Sequence, residues 1–152
     1  MNITMETEFG AYTISRVNDE SNRSLQAWNS GDEYILKTII DYKLADKSKI
    51  LILNDSFGAL AISLSGKYEV FSLSDSLCSQ KAAKMNLAAN SMDENSVHFI
   101  NNEDTLPESV SLVILKNPKS LNYLEYQLQL ISSSYDAGVP VLAADMNKNI
   151  HS

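Results

Sequence analysis

The 152-residue sequence has a single cysteine, Cys78, and only two histidines, His98 and His151. One thiol allows no internal disulfide and fits a reducing cytosol. No other Cys or His stands at ligand spacing from Cys78, so it reads as a packed or half-buried thiol. His98 falls in a strand-like run and His151 near the C-terminal end, and neither has a partner for a triad or a metal set. Long apolar runs are also missing, which excludes a transmembrane helix. The opening MNITMETEFG lacks the basic and apolar regions of a secretory signal, so the expectation is a cytoplasmic chain with no membrane partner. Positive charge is scarce: 12 Lys and Arg face 19 Asp and Glu, for a net charge of −7. Domains that grip phosphates unaided are usually basic, so this balance weighs against autonomous nucleic-acid binding while leaving room for a local basic patch.

What is present is enough apolar material, 44% of residues, for one domain over 1–152 with a core of its own. Residues 8–17, EFGAYTISRV, alternate as a short strand through Tyr12, Ile14 and Val17. Residues 24–45 space Leu25, Trp28, Ile35, Leu36, Ile39 and Ile40 as a helix capped by Ser24, bent or broken at Gly31. Beyond that point the chain alternates. Strands are predicted at 49–54, 68–73, 96–101, 110–116 and 139–145. Helices are predicted at 59–66, closed by Gly66, at 76–91, and at 120–135, the last ended by Gly138. β-branched runs alternating with helices imply an α/β fold, an open, doubly wound, mostly parallel sheet with right-handed crossovers. Ligands of such sheets bind at the carboxyl ends of the strands, near the topological switch, and ILILNDSFGAL (50–60) points there.

S-adenosylmethionine (SAM) enzymes place an acid at the end of the first strand and then Gly-x-Gly-x-Gly. Glycines let the backbone approach the ligand, and the helix start offers free N–H groups. With Gly58 aligned to the middle glycine, the acid becomes Asn54, the first glycine Ser56 and the third Leu60, whose bulk would crowd the helix start. Asp55 is the acid left in this turn. The second strand should end in a ribose-binding acid; Ser74 stands there, and Asp75 one position later also reads as a helix cap. Amino-directed methyltransferases carry Asn-Pro-Pro-aromatic after the fourth strand. Asn117 and Pro118 fit, but Lys119 and Ser120 replace the second proline and the ring, and Pro118 reads equally as the first residue of the next helix. Three ligand-reading places are each half-erased, so Asn54, Asp55, Gly58, Asp75 and Asn117 outline a vestigial pocket.

SLQAWNSGDEYIL, ILILNDSFGALAISL, the SDS after the second strand, NLAANSMDENSVHFI and LVILKNPKSLNYLEYQLQLI run in the order and spacing of a known family. They resemble the N-terminal domains of ribosomal RNA large subunit methyltransferase G, the 23S rRNA guanine-N2 methyltransferases, over roughly residues 8–151. The small-subunit methyltransferases of type C are more distantly similar. The resemblance implies two fused copies of one SAM-methyltransferase fold, with the intact glycine loop, the cofactor and the catalytic residues in the second copy. The first copy is then degenerate, without catalytic residues or cofactor of its own, and assists rRNA recognition or holds the enzyme together. The chain stops at DMNKNIHS, where the family would continue into a further helix, two strands and the catalytic half, so the resemblance implies a fragment.

Two other functions compete: a small self-contained methyltransferase using Asp55, Asp75 and Asn117, and an interaction module that binds through an exposed sheet edge. For the rRNA reading, the contact is expected on the pocket rim at Lys116 and Lys119, with Lys81 and Lys84 as additions. Strand order 3-2-1-4-5 would leave 139–145 at one edge, with Val139, Val141 and Leu142 bordering an apolar patch through which the chain forms a homo-oligomer.

Overall fold

KILIL, EVFSL, VHFI, LVILKN and VLAAD are short and mostly apolar, each with at least one β-branched residue, and each becomes a parallel strand. In the computed structural model, which describes residues 3–14, 28, 30–55, 57–74, 77–100, 106–118 and 120–145, an N-terminal hairpin precedes them. It consists of β1 (Ile3–Thr7) and β2 (Gly10–Ile14), paired antiparallel. Helix α1 (Ser30–Thr38) runs into a 3-10 turn at Ile39–Tyr42. The order is then β3 (Lys49–Leu53), α2 (Ala59–Ser65), β4 (Glu69–Leu73), α3 (Leu77–Ala89), β5 (Val97–Ile100), β6 (Leu112–Asn117), α4 (Leu121–Ser134) and β7 (Val141–Asp145). The sheet runs β5-β4-β3-β6-β7, all parallel, which is the expected 3-2-1-4-5 order with β7 at an edge. No helix among the described residues is long and apolar enough to cross a membrane.

Alternation along each strand feeds two cores. Ile50, Ile52, Val70, Val97, Leu112, Ile114, Leu142 and Ala144 turn toward α1, α2, α3 and the hairpin, with Trp28 buried among them. Leu51, Leu53, Leu73, Ile100, Val113 and Leu115 turn the other way, where Ile131 of α4 and Val110 meet them. The switch between the two faces lies at the carboxyl ends of β3 and β6.

Several boundaries differ from those predicted. β1 was not anticipated, although Ile3 and Met5 alternate with Thr4 and Glu6, because five residues with two apolar side chains give a weak signal. α1 begins at Ser30, so Gly31 sits in its first turn, where a helix is least sensitive to it; residues 15–27 and 29, which include Ser24, Leu25 and Val17, lie outside the described residues. Gly66 caps α2 in a right-handed conformation, φ −72°, so its glycine freedom is unused. α4 ends at Ser134, before Gly138, with the Tyr135 N–H bonded to the Ile131 carbonyl. β7 begins after Pro140, which has no N–H to give a ladder. Pro118 is not in the first turn of α4: Ser120 is the N-cap, its hydroxyl accepting from the Tyr123 N–H at 3.3 Å. Asp75, Ser56, Lys119, His151 and the side chain of Cys78 lie outside the described residues.

Candidate functional site

The turn from β3 into α2 is where a cofactor loop would lie. Asn54, Phe57 and Gly58 adopt left-handed conformations, with φ of 68°, 57° and 83°. Two of the three are not glycine, so the surrounding structure must hold the turn in place. Asn54 is held on both sides. Its Nδ2 donates to the Lys116 carbonyl and to Gln127 Oε1, each at 2.8 Å, and the Gln127 Nε2 donates back to Asn54 Oδ1 at 3.1 Å. The position of the strand-end acid thus carries an amide locked to β6 and α4. The Phe57 carbonyl accepts from Nδ2 of buried Asn86 on α3 at 2.8 Å.

Gly58 keeps its glycine for packing. A Cβ built there would lie 2.9 Å from the Ala83 Cβ and 3.0 Å from its Cα, so α3 fills the space that a ligand would need. Leu60 points into the main core and is fully buried there, which corrects the expectation that it crowds the helix start.

Asp55 takes the free N–H groups of α2. Its Oδ1 accepts from the Leu60 N–H at 3.3 Å and its Oδ2 from the Ala61 N–H at 3.0 Å. Burial pushes this carboxyl up to about 7, and the nearby Asp32 carboxylate adds to the rise; the two N–H groups and Lys116 pull the other way.

Lys116, expected on the rim, is buried. It shares a face of β6 with Leu112 and Ile114, and its Nζ donates to Asp32 Oδ1 of α1 at 2.6 Å, the two side chains 2% and 4% exposed. It cannot meet RNA there. Asn117 is half-buried at the end of β6, opposite Asp145 in register. At the end of β4, the Gln80 Nε2 donates to the carbonyls of Ser74 and Ile100, at 3.4 and 3.1 Å, closing the gap between β4 and β5. Lys81 is exposed on α3, whereas Lys84 lies over the Phe99 ring at 5.4 Å.

The structure therefore brings together Asn54, Asp55, Gly58 and Lys116, and adds Asp32, Asn86 and Gln127, which sequence reasoning missed. A signal existed for Asp32: it falls in helical register with Ile35, Leu36 and Ile39, an acid on an apolar stripe that needs a buried cation. Among the described residues, no buried side-chain nitrogen or oxygen lacks a partner, and no three carboxylate, His or Cys side chains gather as a metal site.

The family model for the RLMG N-terminal domain matches residues 2–152. The ribosomal RNA large subunit methyltransferase G of Pseudoalteromonas translucida is 40% identical over 153 residues, which cover 98% of this chain and 40% of that protein. Its namesake in Vibrio campbellii is 37% identical over 151 residues, 97% of this chain and 39% of that protein. The chain thus spans about 40% of the length of the curated relatives it matches. Among solved structures, the T. thermophilus 16S rRNA N2 G1207 methyltransferase, in complex with AdoMet and guanosine, superposes with a TM-score of 0.68 at 14% identity, over 89% of this chain and 39% of that one. The magnesium protoporphyrin IX methyltransferase of Synechocystis with bound SAM gives 0.56 at 15% identity, over 70% of this chain and 53% of that one. At such identities the likeness is one of fold: the Rossmann-like fold of SAM-dependent methyltransferases.

Proposed function

Because the chain belongs to the RLMG N-terminal domain family, we propose that it is the non-catalytic, cofactor-free N-terminal domain of a SAM-dependent rRNA guanine-N2 methyltransferase. In this reading the methyl donor and the chemistry belong to the remaining length of the longer relatives, and this domain assists rRNA recognition or holds the enzyme's architecture. The names of the curated relatives support the rRNA substrate.

One observation carries the cofactor-free part. The α2 N–H groups that would receive a ligand are already bonded to the buried Asp55 carboxylate, within a turn whose other polar groups are tied to Gln127 and Asn86. A ligand would have to displace internal bonds rather than find waiting donors, and a buried donor or acceptor left unpaired costs roughly 1–3 kcal/mol. The self-contained methyltransferase reading loses its site for the same reason.

Titration calorimetry of this chain with SAM tests the proposal. The expected result is no binding heat at millimolar ligand and no methyl transfer to rRNA; a micromolar dissociation constant would overturn it. With Lys116 buried, Lys119 is the rim lysine that we assign to RNA, tested by Lys119→Glu in binding to protein-free rRNA. A second reading, a protein-interaction module, is favoured by the edge strand β7, whose Val141 is 40% exposed.

A further inference from the structure

The two faces of the parallel sheet are covered unequally. On one, the side chains of α1, α2, α3 and the hairpin fill the core; on the other, α4 is the one described helix whose side chains enter the cluster. At the β5 edge of this second face, away from α4, strand alternation brings four residues to the surface. Lys49 and Glu69 are register partners at the starts of β3 and β4. Phe71 and His98 are register partners one row further along.

The Phe71 and His98 rings stack at 4.6 Å with an interplanar angle of 22°. His98 Nε2 lies 3.3 Å from Glu69 Oε2, with the two side chains 51% and 40% exposed. Lys47 and Lys67 flank the same end of the sheet, the Lys47 N–H bonded to the Lys67 carbonyl at 2.8 Å, and both are exposed. Lys67 stands 3.9 Å from Asp46, an ion pair exposed enough to be exchanged for another anion.

We propose that this open corner of the sheet is an RNA-binding face, on which an unpaired base stacks against the His98–Phe71 ring pair while flanking phosphates meet Lys47, Lys49 and Lys67. The proposal rests on the reading of the chain as part of an rRNA-modifying protein and gives that reading a surface. Aromatic rings exposed on a sheet are a recurrent platform for unstacked bases, since every base has a π-face to offer. Half-exposed His98 leaves one ring face available while Phe71 backs the other. The lysines are the groups that would meet the phosphates: three stand at this end, alongside the acids Asp46, Glu69, Asp93 and Glu94. Glu69 has a use of its own, because a carboxylate beside a stacked base can accept from exocyclic amino and ring N–H groups. This face lies at the amino end of the strands, whereas Lys119 follows β6 in the sequence, so single variants separate the two.

Fluorescence anisotropy of the 152-residue chain with a short adenine-rich single-stranded RNA, at several salt concentrations, tests the face. His98→Ala should weaken binding about 5- to 100-fold, the range expected for one lost stacking partner, without changing the salt slope. His98→Tyr, which keeps a ring at this position, should restore it. Lys67→Gln should instead lower the slope of log K against log salt by about 0.7. Lys37→Gln, at an exposed position of α1 on the other face of the sheet, should change neither. Because His98 and Lys67 are exposed, the variants should keep the wild-type urea midpoint; Phe71→Leu, which keeps the apolar contact and removes the ring, is a second probe of the stack. If the wild type binds RNA but none of these substitutions matters, or if only Lys119→Glu does, the face is wrong and the rRNA reading stands. If the wild type does not bind RNA at all, the face falls, and of the two roles in the rRNA reading only the architectural one is left to this domain.

Discussion

Three buried ionisable residues lie together behind the turn from β3 into α2. Asp32 and Lys116 form a pair at 2.6 Å with almost no solvent access, and Asp55 lies close enough to feel both. Breaking such a pair leaves a desolvated charge: Asp32→Leu alone should cost about 3–5 kcal/mol by urea denaturation, whereas Asp32→Leu with Lys116→Met should return to wild-type stability or exceed it. A double variant as unstable as the single would mean that the pair positions α1 by geometry and not by charge balance. Asp55 adds a pH dependence whose sign follows from its raised pKa. An unfolded aspartate releases its proton near 3.8, while the folded chain holds it to about 7. Folding therefore takes up a proton between those values, so this stabilisation is full below about pH 3.8 and is lost as pH rises through 7. Relative to Asp55→Asn, the wild-type urea midpoint should fall across that window; parallel profiles would remove Asp55 as the titrating group. None of this was legible in NDSFG. Lys116 read as a rim residue because it follows four apolar residues of β6, and only its alternation with Leu112 and Ile114 puts it on the α1 face.

Helices and strands were far easier to read than the joints between them. Five short apolar runs, all but one pair separated by helical spacing, point to a parallel sheet with right-handed crossovers, and its expected order is the usual one for such a sheet. The departure of Asn54, Ser56 and Leu60 from a glycine-rich cofactor motif was legible too, since it is a matter of sequence. What packs around this turn was not, because Asp32, Ala83, Asn86 and Gln127 come from α1, α3 and α4 and gather there only in the folded chain. Gly58 illustrates the limit. Its glycine looked like a remnant of ligand approach, yet the structure uses it for the contact of α2 with α3. Gly58→Ala should therefore cost more than the roughly 1 kcal/mol of a left-handed alanine, because the new methyl meets Ala83 at 2.9 Å. Adding Ala83→Gly should recover the steric part and leave the backbone part. Additive losses in the double-mutant cycle would show that the two residues do not share the space.

At the scale of the whole molecule, a second exposed surface lies beside β7. Among the described residues this strand pairs with β6 alone, and on the α4 face its Val141 and Ala143 are exposed while Leu142 and Ala144 are buried against α1. Leu142 thus belongs to the core and not to the apolar border expected of it. Between α4 and β7 runs a groove of about 520 Å³ lined by Leu128, Ile131, Tyr135, Val139 and Val141. The N-terminal hairpin is engaged elsewhere. It packs on α1, α2 and α3, and Asn90 bonds both the N–H and the carbonyl of Thr13, each at 2.8 Å. An edge strand with unpaired N–H and C=O groups beside an apolar groove is a template for pairing with a second chain. Light scattering on the 152-residue chain should therefore detect concentration-dependent self-association. Val141→Lys should suppress it, since a charged residue on an edge strand opposes edge-to-edge pairing. The match takes up 40% of the relative's length and leaves about 60% with which to cover this surface, so a protein of that full length should remain monomeric under the same conditions. A clean monomer of the short chain at high concentration, with Val141→Lys unchanged, would mean that the edge is already protected.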